Sequence, residues 1–186
     1  MANESGLTLV ELLVTIVVLS VLLALGVPEI QSFIKSNRLT GQANDLVVSI
    51  QLARSEAVKR GTRGVICARA NENECSDSDD WTTGWIVFTD VDQDSKLTDD
   101  DKLTPGEVGD CVDVDCIIRT SGALRKATLD GGGTGRISFL PNGLVYNAPD
   151  IDTTLKLTAD DCKWDQYREI TISKRGHTNV VKKDCP

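Results

Sequence analysis

Aromatic residues are scarce in this chain, 4% of 186. A core built from it must therefore be largely aliphatic. Histidine is rarer still. His177 stands alone, with no nucleophile beside it in the sequence. Nucleophilic and acid–base catalysis need convergent partners, and no motif here supplies them, so the expectation is not an enzyme. Six cysteines are present but none forms a C-x-x-C pair, which together with the single histidine argues against zinc. The stretch LDGGGTG at 129–135 has no Lys-Ser/Thr pair and no helix pattern behind it. That excludes a phosphate-cradling loop and predicts a flexible one. No internal repeat is evident. The leader MANESG lacks lysine and arginine, and no A-x-A cleavage pattern follows the apolar run behind it. An ordinary secretory signal does not fit.

That run, Leu7 to Val27, is about 21 residues of mostly leucine, valine and isoleucine. At about 1.5 Å per residue, a helix of this length crosses a hydrocarbon core of about 30 Å. Its one ionisable side chain is Glu11. A carboxylate in that solvent costs several kcal/mol without a partner. A cut after Gly6 would make Leu7 a new N-terminus, one helical turn from Glu11. The terminal ammonium, of this chain or better of a neighbouring copy, could then pair with the carboxylate. Pairing between copies would reward one axial register, and Glu11 becomes an assembly device.

Gly26 and Pro28 end the run. Beyond them Ile30, Phe33, Ile34, Ala43, Leu46, Val47, Ile50, Ala53 and Ala57 recur at mostly three- and four-residue gaps. The spacing predicts an amphipathic helix over 29–59, closing near Gly61, with one face laid on a domain. From Arg63 the period shortens. RGVICARA, GWIVFTD, CIIRTS, GRISFLPNG, TTLKLTAD and YREITISKRG read as about six strands in mainly antiparallel sheets. Trp81, just before the second of these, shares a face with Trp85 and Phe88 takes the other; all three are expected in the core, with an exposed docking patch as the alternative. The expected organisation is a leader 1–6, a membrane or filament-core helix 7–28, an amphipathic segment 29–62 and a β domain 63–186.

The net charge of −8 is unevenly spread. Residues 71–115 hold fifteen acids and two lysines, a balance of −13, so an acidic insert sits on a mildly basic body. All six cysteines, Cys67, Cys75, Cys111, Cys116, Cys162 and Cys185, follow the apolar run. An even set in that part reads as disulfides in an oxidising compartment. Six cysteines allow about 15 pairings. Cys67 with Cys75, Cys111 with Cys116 and Cys162 with Cys185 is the one expected, the last tying down the C-terminal segment.

The segment DVDQDSKLTDDD, 90–101, resembles a calcium loop. Asp90, Asp92 and Asp94 stand at positions 1, 3 and 5, Lys96 offers a carbonyl at 7, Thr98 stands at 9 and Asp101 at 12. Ser95 replaces the usual glycine at position 6, and a strand replaces the preceding helix. A solvated acidic loop is the alternative; otherwise no cofactor is expected. Near the C-terminus Lys174, Arg175, His177, Lys182 and Lys183 make a basic stretch that could hold phosphates without reading sequence. An exposed strand with lysines protecting its edge, or a basic face that docks the acidic face of the next subunit, is the alternative there.

A short polar leader ending in glycine, then GLTLVELLVTIVVLSVLLALGVP, resembles the class III signal of type IV pilins and type II secretion pseudopilins. In that family a prepilin peptidase cuts after the glycine and methylates the new N-terminus, and the glutamate guides docking. Here these are Gly6, Leu7 and Glu11. The segments NRLTGQANDLVVSIQLARSEAVKRGTRGVIC, WTTGWIVFTDVDQD, ISFLPNG and REITISKRG resemble the GspH/FimT family of minor pilins and pseudopilins. The resemblance implies an α+β, type IV pilin-like fold: a long N-terminal helix packed on a mainly antiparallel β-sheet or sandwich. It implies an inner-membrane anchor with a periplasmic domain, then a place at a pilus or pseudopilus tip. The implied partners are other major and minor pilins or pseudopilins, the prepilin peptidase and the inner-membrane assembly platform. Some FimT-type members bind DNA, which adds DNA as a partner for the basic stretch.

Overall fold

The computed structural model describes residues 8–71, 73–97, 102–103, 114–146, 152–163 and 166–185, without the side chains of 25–29 and 102–103. One helix, α1, runs from Leu9 to Arg60. It closes where Gly61 takes a φ of +71° and its N–H donates to the Ala57 carbonyl at 3.0 Å. Glycine adopts that left-handed conformation without a Cβ penalty. The chain divides into two units, Met1–Asn37 and Arg38–Pro186.

In the first unit α1 exposes its apolar side chains all round. Leu9 is 79% exposed, Leu22 62% and Phe33 67%. Thr15 and Ser20 turn their hydroxyls back onto the carbonyls of Leu12 and Val17, at 2.8 and 2.7 Å. The two polar side chains are thus satisfied by the helix itself. Among the described residues no helix is long and apolar enough to cross a membrane. Leu7 and the side chains of 25–27, which belong to the apolar run, are outside that set.

In the second unit the buried stripe of α1 is Leu39, Ala43, Leu46, Ile50, Ala53 and Ala57, spaced four and three apart. This corrects the expected face. The stripe includes Leu39, whereas Ile30, Phe33 and Ile34 are exposed. Those three precede the part of α1 that the β-structure covers.

Two sheets complete this unit. In the first, β1 (Arg63–Asn71) lies antiparallel to β3 (Trp85–Asp90) on one side and to β7 (Arg136–Phe139) on the other. The short β2 (Glu74–Cys75) pairs with the end of β1. Outside β3 comes β5 (Asp115–Thr120), antiparallel, and then β4 (Lys102–Leu103), parallel to β5. The second sheet is antiparallel, in the order β10 (Thr178–Lys183), β9 (Tyr167–Ile172), β8 (Thr153–Ala159), β6 (Ala127–Asp130). The six apolar runs each hold a strand. The brief β2, β4 and β6 were not legible as strands, because two to four residues carry too little period.

Side chains alternate across the first sheet. Ile66, Ala68, Trp85 and Val87 face the stripe of α1, joined by Leu129, Leu155, Leu157, Ile170 and Ile172 of the second sheet. Val65, Cys67, Ile86 and Phe88 face the other way, under Leu97 and Ile117. Trp81 and Trp85 therefore share one core and Phe88 belongs to the other. Cys67 is bonded to Cys75 and Cys162 to Cys185. Cys116 is also disulfide-bonded, and Cys111, its expected partner, lies outside the described residues. The Cys162–Cys185 loop spans 23 residues, which removes about 3 kcal/mol of chain entropy from the unfolded state.

The glycine stretch is a tied turn and not the flexible loop expected. The Trp81 indole N–H donates to the Thr134 carbonyl at 2.8 Å. Gly132 N–H donates to Asp130 Oδ1 at 2.8 Å and Gly133 N–H to Asp79 Oδ2 at 3.2 Å.

Helix and sheet meet closely at Gly64. A Cβ there would lie 2.1 Å from the Ala53 carbonyl oxygen and 3.1 Å from the Ala57 methyl. Backbone on one side and a buried alanine on the other leave nothing flexible to yield. Gly64→Ala should therefore lower unfolding stability by about 2–3 kcal/mol. Gly41, with nothing within 4 Å of its added Cβ, gives the opposite sign: Gly41→Ala should gain about 0.5–1 kcal/mol. Denaturant unfolding of the full chain in detergent micelles measures both.

Candidate functional site

Three groups of side chains were singled out by sequence, and the structure treats them differently. At the start of α1, Thr8 and Glu11 form a reciprocal cap. Glu11 N–H donates to Thr8 Oγ1 at 3.3 Å, and Thr8 N–H donates to Glu11 Oε2 at 3.4 Å. The Thr8 hydroxyl also reaches Glu11 Oε2 at 3.5 Å. This is a capping box, in which two of the helix's orphan donors find partners. The signature T-x-x-E was present in TLVE, residues 8–11, and the sequence reading missed it. Gly6 and Leu7, the processing candidates, lie outside the described residues. Since Thr8 follows both, a cut after Gly6 would leave the box intact.

The acidic loop is drawn together at the end of β3. Asp90, Asp92 and Asp115 bring one carboxylate oxygen each to within 4.8 Å of one another. Asp115 was not among the sequence candidates. Antiparallel pairing explains its arrival: Thr89 is in register with Cys116, so Asp90 and Asp115 are the next residues out on adjacent strands. Asp94 and Lys96 do not join this group; Asp94 Oδ1 accepts the Lys96 N–H at 2.6 Å. Thr98 and Asp101 lie outside the described residues. Ser95, at the position where a calcium loop has glycine, takes a φ of +62°.

Asp90 is fully buried and Asp115 nearly so, whereas Asp92 is exposed. Burying carboxylates costs several kcal/mol each unless something compensates. Ser95 N–H donates to Asp90 Oδ2 at 3.1 Å, and Arg63 Nη1 lies 3.9 Å from the same oxygen. Val91 N–H donates to Asp115 Oδ1 at 2.8 Å. These contacts are not enough for Asp90. Burial first, then Asp92 at hydrogen-bond distance and the like charge of Asp115, push its carboxyl up to about 6. Arg63 is held in turn by the Gln93 carbonyl and by the Tyr146 ring, whose centroid is 3.8 Å from the guanidinium carbon.

The basic residues do not converge. Lys174, Arg175 and His177 are exposed around the turn that joins β9 to β10. Lys182 and Lys183 lie at the far end of β10, about 16 Å along the strand from His177. Lys183 is paired with Glu169 at 2.8 Å. Arg168, in the same segment, is buried and donates to the Tyr167 carbonyl and the Thr40 hydroxyl. The β10 strand is the outer strand of its sheet, with both lysines exposed, so the edge-protection alternative describes it.

A groove of about 820 Å³ runs between β7 and β8, lined among others by Thr134, Arg136, Ser138, Tyr146, Thr154 and Lys156. Among its described lining residues are no histidine and no cysteine. It offers hydroxyls, two cations and the carboxylates of Asp94 and Asp152.

A long N-terminal helix whose C-terminal part is seated on antiparallel sheets is the type IV pilin-like fold. The family model described as type II transport protein GspH matches residues 42–176, and the prokaryotic N-terminal methylation motif matches residues 1–27. The chain belongs to the GspH family, which comprises minor pilins and pseudopilins. Its fold is similar to that of the type IV minor pilin FimU of Pseudomonas aeruginosa, at 21% identity, covering 80% of this chain and 92% of that one, with a TM-score of 0.53. It is also similar to the minor pseudopilin EpsH from the type 2 secretion system of Vibrio cholerae. There the identity is 12%, the coverage 78% and 97%, and the TM-score 0.47. No curated protein matches the chain.

The capping box makes a local prediction. Thr8→Ala removes the hydroxyl that accepts the Glu11 N–H, while the backbone N–H at position 8 remains, and should cost the first turn about 1 kcal/mol. Amide exchange at residues 9–12 in micelles should quicken about fivefold. Glu11→Gln keeps an acceptor and should leave exchange nearly unchanged, whereas Glu11→Ala should behave as Thr8→Ala does.

Proposed function

We propose that this chain is a minor subunit that primes or caps a type IV pilus. On this reading it waits in the inner membrane with its β domain in the periplasm. Prepilin peptidase cuts it after Gly6, the assembly platform feeds it into the filament, and it packs among major and minor pilins. The observation that carries the reading is the apolar surface of α1 between Leu9 and Ile34, which its own chain leaves exposed. The Thr15 and Ser20 hydroxyls are bonded within the helix, so among the described side chains of 9–24 only the Glu11 carboxylate stands charged on that surface. Hydrocarbon, or the same helix from other subunits, covers such a surface at least cost. In the packed state Glu11 pairs with the N-terminal ammonium of a neighbouring copy and fixes axial register.

A pseudopilus is the second reading, favoured by the description of the matching family model as a type II transport protein. DNA capture by the basic residues is the weaker alternative, because those side chains lie at two ends of an edge strand and one is neutralised by Glu169.

The test is a deletion strain complemented with wild type, with Glu11→Gln, and with Lys174, Arg175, Lys182 and Lys183 all changed to alanine. Surface pili, exoprotein release and DNA uptake are scored in parallel. The proposal expects pili to vanish on deletion, to return with wild type and the alanine variant, and to stay absent with Glu11→Gln, whose cap is intact. Pili that persist while exoprotein is retained would replace the pilus with a pseudopilus. Pili that persist while uptake fails, unrescued by the alanine variant, would make the chain a DNA receptor.

A further inference from the structure

We propose that Asp90, Asp92 and Asp115 form a calcium site that joins the end of β3 to the start of β5. The cluster alone would not carry this. The second observation is an orphaned atom: Asp90 is fully buried, and its Oδ1 has no hydrogen-bond partner among the described residues. Its other oxygen is already used by the Ser95 N–H. A buried carboxylate oxygen with no donor needs a proton or a cation.

The surroundings favour a cation. The group brings three carboxylates together, and the Arg63 guanidinium lies 3.9 Å from Asp90 Oδ2. That guanidinium is also committed to the Gln93 carbonyl and the Tyr146 ring. The donors are oxygens alone, which selects a hard ion over zinc or copper. Two ligands come from strand ends fixed by pairing register and the third from an exposed loop position. Such a set suits the variable geometry of calcium better than the strict octahedron of magnesium, with water completing the shell. Asp94, which a linear reading makes a ligand, is not among the carboxylates that converge there, and the site does not use it. The ion would fasten loop 91–97 at its root and lock β3 to β5, in the most acidic part of the chain.

The test uses the full chain in detergent micelles, stripped with a chelator and titrated calorimetrically with calcium chloride. One ion should bind per chain, with a dissociation constant on the order of 10⁻⁴–10⁻³ M, and the melting temperature should rise. Magnesium chloride at the same concentration should compete at least about tenfold more weakly. Asp92→Asn, at an exposed position that does not threaten folding, should weaken calcium at least about tenfold, as should Asp115→Asn. Asp94→Asn should leave it unchanged. The proposal is overturned if no heat or melting shift appears at 10-fold the upper constant, about 10⁻² M. It is equally overturned if Asp92→Asn binds like wild type, or if Asp94→Asn loses binding as Asp92→Asn does.

Discussion

A helix can be buried by its own chain only as far as that chain reaches, and α1 extends beyond that limit. Over 38–60 its apolar stripe is covered by two sheets. Over 9–34 the same helix carries leucine, valine and isoleucine into the open. Each of those side chains forfeits roughly 1.5–3 kcal/mol of available transfer energy while it faces water. A monomer in solution is therefore a poor end state for this sequence. Membrane and filament core are two environments that recover that energy, and the chain's membership of a minor pilin and pseudopilin family names both.

The covered part of α1 does more than supply half of a core. Asp45 accepts from Arg119 and from the Ser121 hydroxyl at 3.0 Å, which ties the helix to the strand β5 and the turn behind it. Arg54 donates to the Gly143 carbonyl at 3.0 Å, and its guanidinium fills the space beside Gly143 and Gly176. Gln51 reaches Thr178 at 3.0 Å, at the start of β10. The helix thus fixes strands of both sheets. The register of β3 against β5, anchored in this way, is what sets Asp90 beside Asp115.

Much of this was legible because it is periodic. The three–four spacing from Ala43 to Ala57 and the short unbroken apolar run in WIVFTD each announced an element, and Gly61 announced a stop. The acidic loop was found through Asp90, Asp92 and Asp94, which are close in sequence. Asp115 was missed since only strand pairing brings it near, and no linear spacing encodes that register. Glu11 was noticed for its cost in hydrocarbon, which hid the nearer partner at Thr8. The glycine stretch was judged by composition, and what ties it is Trp81, some fifty residues earlier. The basic stretch looked concentrated in one dimension, but a strand spreads it along its length.

The central claim is that neighbouring subunits cover the exposed part of α1. A photoreactive phenylalanine analogue placed at Phe33, which is 67% exposed, tests this in living cells with and without filament assembly. The account predicts cross-links to other pilins when the assembly platform is present and their loss when it is absent or when Glu11 is changed to Gln. Cross-links that are absent under assembling conditions, or unaffected by loss of the platform, would contradict it.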